Sequence, residues 1–174
     1  MGFMNREVLI SRDQIDRRVR ELADEISRDY AGKELVVVGI LKGAFVFMAD
    51  LIRVLRVPCR VDFTQLASYG DGTVSSGKVV IKKDIGLPIA DRDVLVVEDI
   101  VDTGLTLSFL VETLRARAPR SLKVCVLLDK KMRRKVPFAA DYTGFDIEDR
   151  FVIGYGLDFD EQGRSLPDVC VIET

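Results

Sequence analysis

The segment VLVVEDIVDTGLTL, residues 94–107, places three carboxylates and two hydroxyls directly after a run of apolar residues. The apolar run ends in Glu98 and Asp99, and Asp102 follows after two more apolar residues. Polar groups of this kind are costly in a hydrophobic core unless each has a partner. The segment therefore predicts that a polar ligand binds where a buried strand ends.

The residues after the acidic pair are suited to bind a monophosphate. A helical pattern begins at Leu105, and the first turn of a helix offers unpaired N–H groups and a partial positive charge. Gly104 lets the backbone approach a ligand closely, and Thr103 and Thr106 add hydroxyl donors. The G-x-x-x-x-G-K-[ST] and G-x-G-x-x-G patterns are both absent from the sequence, so neither a triphosphate loop nor a dinucleotide loop is indicated.

The acidic pair needs a different explanation, because Glu98 and Asp99 would repel a bare phosphate. Adjacent carboxylates accept hydrogen bonds from a vicinal diol, and they also suit a hydrated divalent cation. Phosphate donors beside diol acceptors predict a ribose 5-phosphate ligand. The alternative is that Thr103 merely caps a helix and that the acids are solvated.

Composition limits the chemistry that is available. The 174 residues include no histidine, so acid–base steps must use Asp, Glu, Lys, Tyr or Cys. The net charge of −2 argues against a general nucleic-acid binder. Three widely spaced cysteines, Cys59, Cys125 and Cys170, predict reduced thiols in a cytoplasmic protein. No apolar stretch approaches the ~20 residues that span a bilayer, so no membrane partner is expected.

The apolar periodicity predicts an α/β fold with a mainly parallel central sheet flanked by helices. Predicted helices cover residues 11–30, 42–55 and 105–118, and predicted strands cover 34–41, 59–66, 79–85, 93–98, 122–129, 151–156 and 169–173. Ser11 and Gln14 form a capping-box signature at the start of the first helix. With no linker in view, residues 1–174 are expected to form a single domain.

Polar groups follow three of the predicted parallel strands. The sequences are LKG at 41–43, EDIVDTG at 98–104 and DKK at 129–131. Ligands of open α/β sheets bind at the carboxyl ends of the strands. We therefore expect these three segments to share one cleft.

The 94–107 segment is similar to the phosphoribosyl-pyrophosphate motif of the purine phosphoribosyltransferases. The resemblance continues through VGILKGAFVFMADL, the SYG loop, LLDKKMRR, YTGFDIEDRFVIGYGLD and GRSLPDVCVI. It implies the type I phosphoribosyltransferase fold, with a small hood formed by the N- and C-terminal segments. It also implies purine salvage, in which ribose 5-phosphate passes from 5-phosphoribosyl 1-pyrophosphate to N9 of hypoxanthine or guanine.

The resemblance assigns most of the predicted site to the phosphoribosyl donor. The implied donor-binding residues are Lys42, Gly43, Glu98, Asp99, Asp102, Thr103, Gly104, Leu105, Thr106 and Arg164. Glu98 and Asp99 would hold the ribose hydroxyls and help to position Mg²⁺, and Asp102 would exchange a proton with purine N7. Lys42, Gly43 and Arg164 would bind pyrophosphate, and the peptide before this lysine is often cis in the family. The alternatives are a surface lysine at position 42 and a solvated Arg164.

The resemblance also implies a base-binding group. Lys130 would donate to purine O6, with Lys131 as the alternative, although the spacing to Phe151 favours Lys130. Phe151 would stack on the purine, unless it is a core aromatic residue. Val152 would offer backbone groups, and Asp158 would offer its carbonyl to the base and hold a second Mg²⁺.

A loop over residues 67–78 is predicted from its glycine and serine content, and Ser68 and Tyr69 open it. By resemblance this loop closes over the reacting centre, and the alternative is a disordered hairpin tip. Leu105 and Leu107 stand where related loops often carry polar residues, which a backbone cradle does not need. The resemblance also implies a homodimer or homotetramer.

Two other classes of protein are compatible with parts of the pattern. VLVVED also resembles the start of a receiver domain, but two βα units precede it and only 76 residues follow Glu98. Some proteins related to phosphoribosyltransferases are RNA-binding regulators. The net charge and the complete set of matching site residues disfavour that interpretation here.

Overall fold

The computed structural model describes residues 6–69 and 78–173. The strands are β1 (Arg6–Ile10), β2 (Leu35–Leu41), β3 (Cys59–Tyr69), β4 (Lys78–Lys83), β5 (Asp93–Val101), β6 (Ser121–Asp129), β7 (Tyr142–Asp146), β8 (Val152–Ile153) and β9 (Val169–Ile172). The helices are α1 (Arg12–Asp29), α2 (Phe45–Val54), α3 (Leu105–Arg115) and a short 3-10 helix, Lys131–Arg133. None of the described helices is long and apolar enough to cross a membrane.

Six strands form the central sheet, in the order β4-β3-β2-β5-β6-β7. Every pair is parallel except β3 with β4, which confirms the predicted α/β fold with a mainly parallel sheet. Strands β2, β5 and β6 are almost wholly buried, because helices cover both faces of the sheet, and this explains their continuous apolar runs. The capping box of Ser11 and Gln14 is present at the start of α1.

A second, three-stranded sheet has the order β1-β9-β8 and is antiparallel throughout. It joins segments from both ends of the described chain, and it is the predicted hood. Ile153, Cys170 and Ile172 form a small apolar cluster of their own within it. Strand β1 is not among the sequence predictions, and neither is β7 of the central sheet.

Several predicted boundaries are wrong for local reasons. The strand predicted for 151–156 is confined to Val152–Ile153, because Gly154, Tyr155 and Gly156 all have positive φ and turn the chain. Helix α2 begins at Phe45, after a turn that includes Lys42. Helix α3 ends at Arg115, before the predicted end at residue 118.

The loop predicted for 67–78 is wrong at both of its ends, since residues 67–69 and Lys78 lie in strands. Strand β3 runs on to Tyr69, so Ser68 and Tyr69 belong to a strand that pairs with β4. Residues 70–77, which carry the rest of the predicted lid, lie outside the described residues.

Candidate active site

The carboxyl ends of β2, β5 and β6 lie side by side, because these strands are parallel neighbours. Lys42 directly follows β2, Asp102 directly follows β5 and Lys130 directly follows β6. The structure therefore brings together the three polar segments that the sequence placed at strand ends. We refer to this part of the molecule as the carboxyl end of the sheet.

Residues 102–106 form a loop that leads into α3, and we call it the phosphate cradle. Gly104 occupies the N-cap position with φ of 84° and, as a glycine, makes no side-chain capping bond of its own. Thr103 Oγ1 accepts a hydrogen bond from Leu105 N at 3.3 Å. A cavity of about 230 Å³ is lined by residues 98–104, 106 and 107. The predicted anion site thus has a helix N-terminus and an adjoining space.

The acidic pair lines the same cavity. Glu98 is 8% exposed, and its Oε1 accepts from Asp99 N at 2.9 Å. Burial raises the pKa of Glu98 well above its ordinary value, and the neighbouring Asp99 carboxylate raises it further. Burial also raises the pKa of Asp99. A proton or a cation close to this pair would relieve the cost of two adjacent buried charges.

Gly43 lies against this acidic pair. A Cβ atom at Gly43 would be 1.8 Å from Asp99 Oδ2, and one at Gly156 would be 2.3 Å from the Gly43 carbonyl oxygen. Only glycine fits at either position without moving its neighbour. The peptide bond between Leu41 and Lys42 is cis, as the resemblance implies.

Lys42 and Arg164 lie on either side of one carboxylate. Lys42 Nζ is 2.7 Å from Glu161 Oε2, and Arg164 Nη2 is 3.2 Å from Glu161 Oε1. Arg164 Nη2 also lies 2.9 Å from Asp158 Oδ1, and Nη1 donates to the Gly156 carbonyl at 2.9 Å. The two residues predicted to bind pyrophosphate are therefore held close together by Glu161, an acid that the sequence analysis did not single out.

The base-binding group lies beside the hood. Lys130 is 7% exposed, and its Nζ is 5.8 Å from the centroid of the Phe151 ring. Lys131 instead donates to Asp146 Oδ2 at 2.7 Å on the surface. The geometry thus favours Lys130 over Lys131 for a contact with a stacked base. Phe151 is 54% exposed and is not a core residue, and it meets Phe159 edge to face.

Asp102, the predicted proton carrier, contacts a neighbouring arginine. Its Oδ1 lies 2.8 Å from Arg133 Nε, yet this oxygen accepts no hydrogen bond within residues 6–69 and 78–173. The Arg164 Nε is likewise buried without a hydrogen-bond partner in the described part of the chain. Unpaired polar atoms of this kind are typical of a site that awaits a ligand.

The three acids predicted to hold metal do not form one cluster. Among the described residues, no group of three or more His, Cys, Asp or Glu side chains is arranged to hold a metal ion. Asp158 pairs with Arg164, whereas Glu98 and Asp99 line the cavity of the phosphate cradle. A cation at either place would need additional oxygen ligands from substrate or water.

A sequence model described as the phosphoribosyl transferase domain matches residues 11–160. This match covers most of the chain, including the phosphate cradle, the acidic pair and Lys130. The chain belongs to the phosphoribosyltransferase family.

A larger cavity, about 670 Å³, lies between α1, α2 and residues 164–167, and Arg164 is the one predicted site residue that lines it. The predicted donor-binding residues of this phosphoribosyltransferase between Glu98 and Thr106 instead line the smaller space at the carboxyl end of the sheet, except for Leu105.

Several known phosphoribosyltransferases are similar to this protein over nearly the whole chain. A hypoxanthine-guanine phosphoribosyltransferase of Aquifex aeolicus is 49% identical over 168 residues, which cover 96% of this chain and 94% of the relative. The protein of that name from Bacillus subtilis is 46% identical over 167 residues, with 96% and 93% covered. A crystal structure of a hypoxanthine-guanine phosphoribosyltransferase from Bacillus anthracis, with HEPES in its active site, has a TM-score of 0.92 and 47% identity, and the match covers 96% of this chain and 98% of that one.

Sequence reasoning missed several charged residues of this phosphoribosyltransferase that contact the site: Arg133, Arg134, Asp149 and Glu161. The signal that was available is the double arginine in LLDKKMRR, directly after the strand that carries Lys130. Which of the two arginines pairs with the Asp102 carboxylate depends on the 3-10 turn at Lys131–Arg133, and that turn is not visible in the sequence pattern.

Proposed function

We propose that this chain transfers the 5-phosphoribosyl group from 5-phosphoribosyl 1-pyrophosphate to N9 of hypoxanthine or guanine, giving IMP or GMP and pyrophosphate. The observation that carries the proposal is the meeting of four groups at the carboxyl end of the sheet. These are the phosphate cradle, the acidic pair, the two cations at Lys42 and Arg164, and the Lys130–Phe151 pair. The names and high identity of the relatives agree with this substrate class.

The donor would bind across three of these groups. The cradle takes the 5-phosphate on its N–H groups and hydroxyls, where a helix N-terminus favours an anion. Glu98 and Asp99 accept hydrogen bonds from the ribose hydroxyls. Lys42, Arg164 and the backbone N–H of Gly43 bind the pyrophosphate, which must displace Glu161 from the two cations.

The acidic pair also suits Mg²⁺. Hard carboxylate oxygens are its preferred protein ligands, and burial together with the neighbouring Asp99 carboxylate raises the pKa of Glu98, so a cation would relieve the cost of charging this pair. Glu98 and Asp99 would hold one ion, and Asp158 would hold a second. Bound Mg²⁺ would offset the charge of the pyrophosphate as it leaves.

Asp102 would handle the proton that the base must lose. The bond from ribose C1 to pyrophosphate breaks, the bond from C1 to N9 forms, and the proton of N7 passes to the Asp102 carboxylate. A carboxylate is a suitable base for this step in a sequence that has no histidine. Asp102 Oδ1 accepts no hydrogen bond in the described part of the chain, but it lies 2.8 Å from Arg133 Nε, so the base would have to compete with this ion pair.

The base would lie on Phe151, whose exposed ring provides a stacking surface. Lys130 has only donors to offer, and therefore matches O6 of a 6-oxopurine. Backbone carbonyls of Val152 and Asp158 are acceptors that match the 2-amino group of guanine. The same acceptors would repel the 2-oxygen of xanthine.

The remaining features of the proposal concern the whole protein. We propose that residues 1–174 act as a single domain and that the protein is a cytoplasmic homodimer or homotetramer without a nucleic-acid partner. Ser68 and Tyr69, at the end of β3, would carry a lid whose remaining residues lie outside the described part of the chain.

Base selectivity tests the proposed function. We expect high kcat/KM with guanine and hypoxanthine, weak use of xanthine, and adenine lower by roughly 10⁴-fold or more, because adenine presents a donor to Lys130. Lys130→Ala should lower activity with both 6-oxopurines. Lys131→Ala is the matched control, since Lys131 pairs with Asp146 on the surface. Efficient use of adenine by the unaltered protein would refute the substrate class.

A further inference from the structure

Three successive carbonyl groups, all at the start of the phosphate cradle, accept hydrogen bonds from the segment that follows β6. We call residues 130–138 the backing segment. The three contacts are Lys130 N to Val101 O at 2.9 Å, Arg134 Nη1 to Asp102 O at 2.7 Å and Lys135 N to Thr103 O at 2.9 Å. The backing segment therefore holds the main chain at each peptide that enters the cradle.

This contact fixes the direction of the cradle N–H groups. In a trans peptide, the carbonyl of one residue and the N–H of the next point in opposite directions. The N–H groups of Asp102, Thr103 and Gly104 therefore point away from the backing segment. The described residues that line the 230 Å³ cavity all lie between Glu98 and Leu107, so the cradle borders this cavity and the backing segment does not.

Arg134 supplies the middle contact with its side chain. Its Nη1 donates to the Asp102 carbonyl, Nη2 donates to Asp129 Oδ1 at 2.6 Å, and Nε donates to the Phe138 carbonyl at 3.1 Å. Arg134 is 16% exposed and Asp129 is 3% exposed. Each nitrogen of a largely buried guanidinium thus has a different acceptor, and this geometry needs the rigid arginine fork.

The Arg134 stem also packs beneath the glycine of the cradle. A Cβ atom added to Gly104 would lie 3.0 Å from Arg134 Cδ and 3.1 Å from Phe138 Cβ. The left-handed turn at Gly104 therefore rests directly on the backing segment. A shift of the Arg134 side chain would move both the Asp102 carbonyl and this turn.

We propose that Arg134, held by Asp129, is a positioning residue that directs the cradle N–H groups toward the 5-phosphate of the donor. The proposal rests on the function proposed above. Arg134 acts through the Asp102–Thr103 peptide and does not itself touch the ligand. Loss of the fork should therefore weaken the binding of a 5-phosphate and leave the pyrophosphate subsite at Lys42 and Arg164 intact.

The test compares two ligands on one set of variants. Dissociation constants for ribose 5-phosphate and for inorganic pyrophosphate with Mg²⁺ are measured by calorimetry on the unaltered protein, Arg134→Gln, Arg134→Lys and Lys135→Gln. Arg134→Gln should weaken ribose 5-phosphate binding by roughly 10- to 100-fold, with pyrophosphate binding essentially unchanged. Arg134→Lys should recover little, because one ammonium cannot reach three acceptors. Lys135→Gln is the control, since it removes the same charge from an exposed side chain and keeps the main-chain contact.

Each other outcome has a defined meaning. Unchanged ribose 5-phosphate affinity in Arg134→Gln would overturn the proposal, and so would an equal loss of affinity for both ligands. If Arg134→Gln does not fold, Arg134→Lys and Asp129→Asn make the same comparison with smaller changes. If the unaltered protein binds neither ligand, the proposed function fails instead.

Discussion

Buried acids at the two ends of strand β5 have opposite surroundings. Asp93 begins the strand and is 1% exposed, and its carboxylate accepts from Arg120 Nη1 at 2.9 Å and Ser121 Oγ at 2.6 Å. Glu98 lies near the other end and is also buried, but its charged neighbour is Asp99, which raises its pKa. A buried acid is thus neutralised within the chain at one end and left in need of a cation at the other.

The two lysines of the β6 region repeat this contrast. Lys123, near the start of the strand, donates to Asp29 Oδ2 at 3.0 Å and to the Tyr142 hydroxyl at 3.1 Å, and these bonds raise its pKa. Lys130, just after the strand, lies 3.8 Å from Asp149 Oδ1 and beside the exposed Phe151 ring. Asp93 and Lys123, at the amino end of the sheet, have close partners of opposite charge within the chain, whereas Glu98 and Lys130, at the carboxyl end, have none as close among the described residues.

The largest expected effect is the loss of turnover without a divalent cation. If the acidic pair awaits a positive charge, excess chelator should abolish activity, and added Mg²⁺ should restore it. Steady-state assays across a titration of EDTA and then of Mg²⁺ measure this. Circular dichroism is the control, since the chelator should leave the folded structure intact. Full activity in excess chelator would show that the acidic pair needs no cation, and this would contradict the contrast between the two ends of β5.

Asp102→Asn should lower kcat by roughly 10²- to 10⁴-fold, because an amide cannot accept the N7 proton. Donor affinity should change little, since the cradle binds through its backbone. Asp146→Asn is a matched control at the end of β7, where the acid pairs with Lys131 on the surface. An unchanged kcat in Asp102→Asn would remove Asp102 from the chemistry.

The two buried acids of β5 should show opposite effects on stability. Asp93→Asn should destabilise the protein by about 1–3 kcal/mol, because Arg120 and Ser121 lose a charged acceptor. Glu98→Gln should instead stabilise the protein at neutral pH when no metal or donor is bound.

The pH dependence of this effect follows from the raised pKa of Glu98. Between the unfolded value, near 4.5, and the raised folded value, the folded protein binds more protons, so its stability falls as pH rises. The advantage of Glu98→Gln should therefore grow above about pH 4.5 and vanish below it. Thermal unfolding in chelator at several pH values measures both variants. Destabilisation by Glu98→Gln at pH 8 would contradict the contrast.

The smallest expected effect concerns Glu161, which occupies the two pyrophosphate cations. The Glu161 side chain is exposed, and ion pairs of an exposed carboxylate contribute little. Glu161→Gln should lower the KM for the donor by roughly 1.5- to 5-fold and leave kcat unchanged. Asp160→Asn, which removes the neighbouring exposed charge, is the control. A raised KM would show that Glu161 helps to bind the donor rather than competing with it.

The sequence predicted the central part of the fold because burial on both faces leaves a strong signal. Strands β2, β5 and β6 are continuous apolar runs, and the polar residues that follow them mark the site. Strand β1 carries no such signal, because most of its residues are exposed and its partner, β9, is distant in the sequence. From the sequence alone, Phe151 could equally stack on a base or pack in the core, because only the tertiary structure decides its exposure.

The supporting charges could not be predicted for a similar reason. The position of the Arg134 side chain is fixed by three hydrogen-bond acceptors, which lie in β6, in the cradle and at residue 138. No spacing rule connects them, because their positions depend on how β5 and β6 pair. The double arginine at 133 and 134 was visible, but the opposite roles of its two members were not.

The hood also has a consequence for how the molecule is made. Strand β1 pairs with β9, so this small sheet joins residues from opposite ends of the described chain, whereas the central sheet pairs strands that are closer in sequence. Long-range closure is slow, and a nascent chain emerges from its N-terminus onward. During synthesis, the phosphate cradle should therefore be complete before β8, which directly follows Phe151, can pair with β9. A ribosome-bound chain that stops before Val169 would carry the cradle without a closed base pocket.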